Sequence, residues 1–246
     1  MKLTILRKLL IMVICIVLLT AAAIFGTAHH FMKRGFADES AEAVTRLRDV
    51  VVRNIGDRSA KFLEEAALVA QHTDFVAAVA AGDGARATEL AKRLMRDVGS
   101  DFMTVTDDKG NVLARGHSDK TGDSVLDQDT VRRALRGEAS VGVISGTVVP
   151  FTLRAGAPIR RDGKVVGTVS IGTSLVREGF VDDIKSFTGL EVTVFKGDTR
   201  VMTTIVRDGK RAIGTRMDNP KVLETVFSAG KTFLARNQIL GSEYET

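Results

Sequence analysis

Between Phe102 and Leu175 the chain alternates short β-rich runs with turn residues, and this pattern limits the fold more than any other feature. It reads Phe-Met-Thr-Val-Thr-Asp from Phe102 to Asp107. The turn Asp108-Lys109-Gly110-Asn111 follows, then Val112-Leu113-Ala114-Arg115-Gly116-His117. A short helix is predicted from about Asp127 to Arg136. Three apolar runs come next, at Val141–Ser145, Thr152–Ile159 and Val165–Gly172. The last two are joined by Arg161-Asp162-Gly163-Lys164, where Gly supplies the positive φ of a tight hairpin. Five strands and one crossover helix in little more than seventy residues predict an antiparallel sheet with helix and loops on one face. The other face needs a cover, and a long helix lies upstream.

That helix is predicted over Ala37–Gln71, which holds no Pro and a single Gly, Gly56. Apolar residues recur at Val44, Leu47, Val51 and Ile55, then at Phe62, Ala66 and Val69, one stripe at helical spacing. Roughly 35 residues reach about 50 Å, enough to back two stacked modules. Ala and Ser occupy places where a coiled-coil seam wants Leu or Ile, which argues against a bare stalk. Thr73-Asp74 is a candidate cap for a short helix through Ala81, Gly82-Asp83-Gly84 breaks it, and Ala85–Val98 reads as another helix.

Ahead of the helix, Lys2, Arg7 and Lys8 precede an uncharged run from Leu9 to Ala28. About twenty apolar residues cross a hydrocarbon core of about 30 Å, and the positive flank places the N-terminus in the cytoplasm. Lys33 and Arg34 on the far side weaken that bias. A cleaved signal peptide is the competing reading, since Ala21-Ala22-Ala23 resembles a cleavage site. The run continues through Ile24 and Phe25, longer than a signal core, which favours an uncleaved anchor. Cys15 is the only cysteine and excludes an internal disulfide or a cysteine-built metal site.

After Leu175 a polar helical segment, Arg177–Phe187, leads into what reads as a second copy. Met103-Thr104-Val105 is echoed by Val192-Thr193-Val194, and Thr121-Gly122-Asp123 by Ile213-Gly214-Thr215. The segment from Asp127 to Gly137-Glu138 is echoed from Asp218 to Gly230-Lys231. An offset of about ninety residues throughout signals duplication. The second copy has one predicted strand after its helix, Phe233–Leu240, so about two strands are missing and the chain is expected to be a fragment, or a truncated gene product, of a longer protein. The expected divisions are 1–8 (cytoplasmic), 9–28 (membrane helix), 29–100 (long and short helices), 101–176 (first module) and 177–246 (partial second module).

Chemistry is sparse. The net charge of +5 is spread through alternating charges, with no basic patch interleaved with aromatics, which excludes a nucleic-acid partner. Gly142-Val-Ile-Ser145-Gly146 lacks the centred Ser of a nucleophile elbow, and no phosphate-loop, dinucleotide or zinc-protease motif occurs, so neither an enzyme nor a cofactor is expected. Asp107-Asp108-Lys109-Gly110-Asn111 lacks the terminal Glu of a calcium loop and reads as a turn. His29-His30 has no third ligand nearby and reads as interfacial.

The candidate ligand residues are Arg115, His117, Thr152, Arg154 and Ser170. Arg115 and His117 share one strand face, either offering a fork and an imidazole to a carboxylate or standing at a solvated strand end. Arg154, in an otherwise small or apolar run, needs a partner if buried: a ligand carboxylate, or an internal Asp such as Asp182. Thr152, Ser170 and Thr173 offer hydroxyls. With no Trp and one Tyr in the chain, a small anion such as a carboxylate fits better than an aromatic or cationic ligand.

Val112-Leu113-Ala114-Arg115-Gly116-His117, Val131-Arg132-Arg133-Ala134-Leu135-Arg136-Gly137 and Leu153-Arg154-Ala155-Gly156-Ala157-Pro158-Ile159 carry a family resemblance. So do Asp162-Gly163-Lys164-Val165-Val166-Gly167 and Val194-Phe195-Lys196-Gly197-Asp198-Thr199-Arg200-Val201. In order and spacing, from about Lys33 onward, the chain resembles the double-Cache sensors of bacterial methyl-accepting chemotaxis proteins, of the Cache 3/Cache 2 fusion type. The resemblance implies an α+β fold: an N-terminal transmembrane helix, a long backing helix, one complete PAS-like antiparallel-sheet module and a second truncated one. It implies ligand binding in the membrane-distal module, on the periplasmic side of the bacterial inner membrane, and a homodimer through the long helix. The function implied is extracytoplasmic small-ligand sensing for chemotaxis. The same input module on a sensor histidine kinase or a cyclic-dinucleotide enzyme, or a secreted binding protein, remains the alternative. The amino-acid-binding Cache pattern uses Tyr, Trp and Arg. The first module here lacks Tyr and Trp, so an amino-acid ligand is not assigned.

Overall fold

The computed structural model describes residues 5–234 and 236–246, and the side chains of residues 5–8, 11 and 31–41 lie outside that description. Lys2, the side chains of Arg7 and Lys8, and those of Lys33 and Arg34 therefore fall outside the described residues. Helix α1 runs from Ile5 to Ala70. The chain divides into two compact units, one of residues 1–49 and 232–246, the other of Val50–Lys231.

The larger unit is built on a five-stranded sheet. Its strands are β1 (Phe102–Asp107), β2 (Val112–Arg115), β3 (Ser140–Ile144), β4 (Thr152–Arg161) and β5 (Lys164–Ser174). They lie in the order β2-β1-β5-β4-β3, every pair antiparallel. The two hairpins form where the turn residues predict. In the first, Asp107 Oδ1 accepts from the backbone N–H of Lys109 (2.9 Å) and Asn111 (2.8 Å). Gly110 there takes φ +79°, and Asp162-Gly163 take +50° and +77° in the β4–β5 turn.

Alternation along the strands gives the sheet two unlike faces. One carries Met103, Val105, Ala114, Leu153, Ala155, Ala157, Ile159, Val169 and Ile171, all buried. These pack in one core with Phe62, Ala66, Val69 and Ala70 of α1, so the expected helix does cover this face. Phe75, Ala78 and Val79 of α2 (Thr73–Ala80) and Ala87, Leu90 and Ala91 of α3 (Gly84–Asp97) complete the core. Asp83 caps α3 by accepting from the Arg86 N–H at 2.9 Å. Helix α2 begins at Thr73 itself, and the residue before it, His72, makes no side-chain cap. Val51 and Ile55 pack against the core half-buried, whereas Val44 and Leu47 belong to the other unit.

The opposite face is covered by α4 (Asp129–Leu135) and the loops around it. Gly156 makes that contact possible: a Cβ there would lie 2.9 Å from the Thr130 carbonyl oxygen. A small apolar cluster of Val112, Val125 and Val131 seals one end of this layer.

Beyond the sheet, α5 (Glu178–Thr188) ends at Gly189 in a left-handed conformation, φ +72°. Strands β6 (Thr193–Lys196) and β7 (Thr199–Thr203) pair as β1 and β2 do. A hairpin of β8 (Val206–Arg207) and β9 (Lys210–Arg211) intervenes. A short helix, α6 (Pro220–Val222), then widens into a π-helical turn, Leu223–Ser228. The duplication read from sequence is visible in the backbone. Val112 N–H donates to the Asp123 carbonyl (2.9 Å) and Gly122 N–H to the Val112 carbonyl (2.8 Å). In the second copy Arg200 N–H donates to Thr215 (2.9 Å) and Gly214 N–H to Arg200 (2.8 Å). The flanking bridges Asn111–Ser124 and Thr199–Arg216 match as well.

In the smaller unit, the Met12–His30 stretch of α1 has mean hydropathy 2.2, and it is long and apolar enough to cross a membrane. It overlaps the predicted Leu9–Ala28 run. His29 at its end stacks on Phe25, ring centroids 6.2 Å apart. The C-terminal residues form two strands, β10 (Arg236–Ile239) and β11 (Ser242–Glu245), where sequence predicts one. Leu240 and Gly241 both take positive φ, +52° and +88°, and turn the chain at the end of the predicted strand into a second one that the sequence reading did not include.

Candidate functional site

The polar face of the sheet builds the candidate site rung by rung. Phe102 on β1 lies opposite Gly172 on β5, which lies opposite Arg154 on β4. Because the middle residue has no side chain, the Arg154 guanidinium reaches across and lies over the Phe102 ring, 4.1 Å from its centroid. A Cβ on Gly172 would sit 1.9 Å from the Leu153 carbonyl oxygen, so no other residue fits that rung. On the next rung Thr104 faces Ser170 on one side and Arg115 on the other. Thr104, Arg115 and Arg154 floor a narrow cleft whose walls are His117, Gln128 and the Thr147–Val149 loop, closed in this structure so tightly that it has no room for a water molecule.

Three of the five sequence-predicted residues, Arg115, His117 and Arg154, thus line one cleft. Thr152 and Ser170 share the face and do not line the cleft itself. Thr152 Oγ1 donates to the Ile144 carbonyl (3.1 Å) and accepts from Arg154 Nε (3.4 Å). The Ser170 hydroxyl is buried with no hydrogen-bond partner, as are Gln128 Oε1, Thr130 Oγ1 and Ser140 Oγ in the same layer. Thr173 instead donates to Asp101 Oδ2 at 2.6 Å.

The two arginines stand in different electrostatic states. Arg115 is 2% exposed, which overturns the reading of a solvated strand end. Its fork is already filled: Nη1 donates to Asp123 Oδ1 (2.7 Å) and Nη2 to Asp123 Oδ2 (2.9 Å). The pair holds the Asp123 carboxyl down at about 2, chiefly through the Arg115 hydrogen bonds. Arg154 is 3% exposed and has no carboxylate within 4.0 Å among the described residues. Burial, then the nearby Arg115 charge, lowers its pKa to about 10, so it stays charged at neutral pH. Asp182 is not its internal partner, because Asp182 receives both its ion-pair hydrogen bonds from Arg211 (2.9 and 2.7 Å). His117 is pushed below its usual range, first by burial, with both arginines adding to the effect. Its Nδ1 lies 3.2 Å from the Met103 carbonyl, which fits a neutral ring donating there.

Sequence reasoning missed Asp123, Thr104, Gln128 and Thr147. Thr104 was recoverable, since its place opposite Arg115 follows from hairpin register. Asp123 carried a fainter signal: it is the acidic member of the repeated loop, and the matching Thr215 is neutral.

The dCache_3 family model, described as the double sensory domain of two-component sensor kinase, matches residues 38–245, and the chain belongs to that family. Two solved structures share the fold. The sensor domain of Vibrio cholerae histidine kinase DctB is 12% identical, with 70% of this chain and 68% of that chain covered and a TM-score of 0.54. The ligand-binding domain of Campylobacter jejuni chemoreceptor Tlp3, in complex with 4-methylisoleucine, is also 12% identical, covering 84% and 82%, with a TM-score of 0.51. No curated protein sequence matches. The chain is therefore a double sensory region of the Cache type.

Proposed function

We propose that the chain is the input region of a transmembrane chemoreceptor and senses a small carboxylate in the cleft of its first module. The observation that carries this is Arg154: a guanidinium that is 3% exposed, with a ring below it and no carboxylate beside it. A buried cation without a counter-charge is costly, and an anionic ligand supplies what the chain does not. The apolar Met12–His30 stretch acts as the anchor, and the cleft lies outside the cytoplasmic membrane. Two copies associate through the long helix. Ligand binding shifts the population between two placements of the sheet against α1, the element that carries the change toward the membrane. The Tlp3 domain, solved with a molecule that bears a carboxylate, supports the ligand class.

A second reading, input to a histidine kinase, is favoured by the family's description as a sensor-kinase domain. Coding sequence beyond the Thr246 codon tells the two apart, through a methylation helix in one case and a kinase domain in the other.

The ligand reading is tested by titrating the full chain in detergent with lactate, propanoate and malonate, followed by thermal shift. A binder raises the unfolding temperature with its concentration. Arg154→Ala is expected to weaken the carboxylate that binds by at least about tenfold, roughly 1.4 kcal/mol. Binding that ignores this substitution removes Arg154 from the site.

A further inference from the structure

Resting on that reading, the geometry points to Asp123 as the residue that sets the charge selectivity of the cleft. By closing a bidentate pair with Arg115 it leaves a single uncompensated cation, Arg154, and the site prefers a small monocarboxylate to a dicarboxylate.

The charge count is short. Arg115 and Asp123 cancel at 2.7 and 2.9 Å. Thr147 ties the pair from the far side, its Oγ1 3.3 Å from Arg115 Nη2 and 3.5 Å from Asp123 Oδ2. His117 is neutral near pH 7, because burial and both arginines disfavour its charged form. Lys120 lies 3.7 Å from Asp123, but its side chain is 53% exposed and screened by water. Asp127 also acts on Arg154 from a distance, and its sign only lowers the net positive charge. One carboxylate therefore meets one guanidinium. The cleft is closed in this structure, and a second carboxylate entering with the first as it opens would be desolvated beside Asp123 with no free cation to meet it.

The pair also belongs to one copy alone. By strand register and loop hydrogen bonds, the places of Arg115 and Asp123 are taken in the second copy by Thr203 and Thr215. Both charges are absent there together, as expected if each is present because of the other.

Calorimetric titration of the full chain in detergent, with lactate and malonate at neutral pH, tests the inference. The unaltered chain is expected to bind lactate more tightly. Asp123→Asn frees the Arg115 charge, and the ratio of malonate to lactate affinity is expected to rise by at least about tenfold. The double variant Arg115→Gln/Asp123→Asn leaves the net charge unaltered and is expected to keep the lactate preference, which decides the matter should the single variant not fold. Malonate bound more tightly by the unaltered chain, an unmoved ratio in Asp123→Asn, or a double variant that turns to malonate would each overturn the role of Asp123. All three outcomes are compatible with Arg154 as the anchor. Binding of neither probe, or binding that ignores Arg154→Ala, removes the site reading and this inference with it.

Discussion

The two faces of the five-stranded sheet come from the same strands, residue by alternate residue, and follow opposite rules. The helix-facing side is largely aliphatic, and its central residues, from Met103 to Ile171, are buried against α1, α2 and α3. The side facing α4 carries Thr104, Arg115, Arg154, Ser170 and Thr168, equally buried but polar. Some of these groups satisfy one another, as in the Thr106–Thr168 hydroxyl contact of 2.8 Å. Others, such as the Ser170 hydroxyl, do not. A sheet optimised only for stability would be apolar on both buried faces. One face holds the module together, and the other carries the polar groups from which the proposed ligand cleft is built.

That contrast can be broken at three points of decreasing effect. Ile171→Ala, on the helix face, opens a cavity and is expected to destabilise by about 3 kcal/mol in chemical denaturation, within the usual range for buried aliphatic truncation. The Arg115–Asp123 pair contributes on the order of 2 kcal/mol, and its pH dependence has a definite sign. Asp123 is depressed in the folded protein from 3.8 to about 2, so its contribution is full above the unfolded value and is lost as pH falls from about 4 toward 2. Acid titration of unfolding is expected to show this step in the unaltered chain and not in Asp123→Asn. The smallest effect is Ser170→Ala, which removes a buried hydroxyl without a partner. It is expected to leave the unfolding free energy unchanged or raise it by less than about 1 kcal/mol. A large loss there would mean that the two faces share one rule.

The helix face was the more legible of the two. Its strands and turns, and the helix that backs it, follow from alternation, Gly placement and the Phe62–Ala66–Val69 spacing, which are local signals. The polar face was legible only as a list of residues. Arg115 and His117 share a strand, but Asp123 reaches Arg115 from an irregular loop whose path no periodicity reveals. The same holds for Arg154. Its burial was foreseeable from its small neighbours, while the pairing of its suggested partner Asp182 with Arg211, a contact between α5 and β9, is a tertiary arrangement that no local pattern reveals. The C-terminal hairpin was missed for a different reason: Leu240 takes a left-handed conformation that nothing in a leucine announces.

The Arg154–Phe102 stack also bears on speed. Arg115 is clamped, so an incoming anion could engage it only after a bidentate bond had ruptured, a step with its own barrier. Arg154 rests on a ring, and a cation–ring attraction fixes height above the plane far more than rotation within it. In the proposed site its guanidinium would meet an arriving anion by giving up no more than the long Nε contact to Thr152 Oγ1 at 3.4 Å. On the proposed reading, the residence time of that anion would be set by the contacts it forms, and the delay before a signal by diffusion and cleft opening.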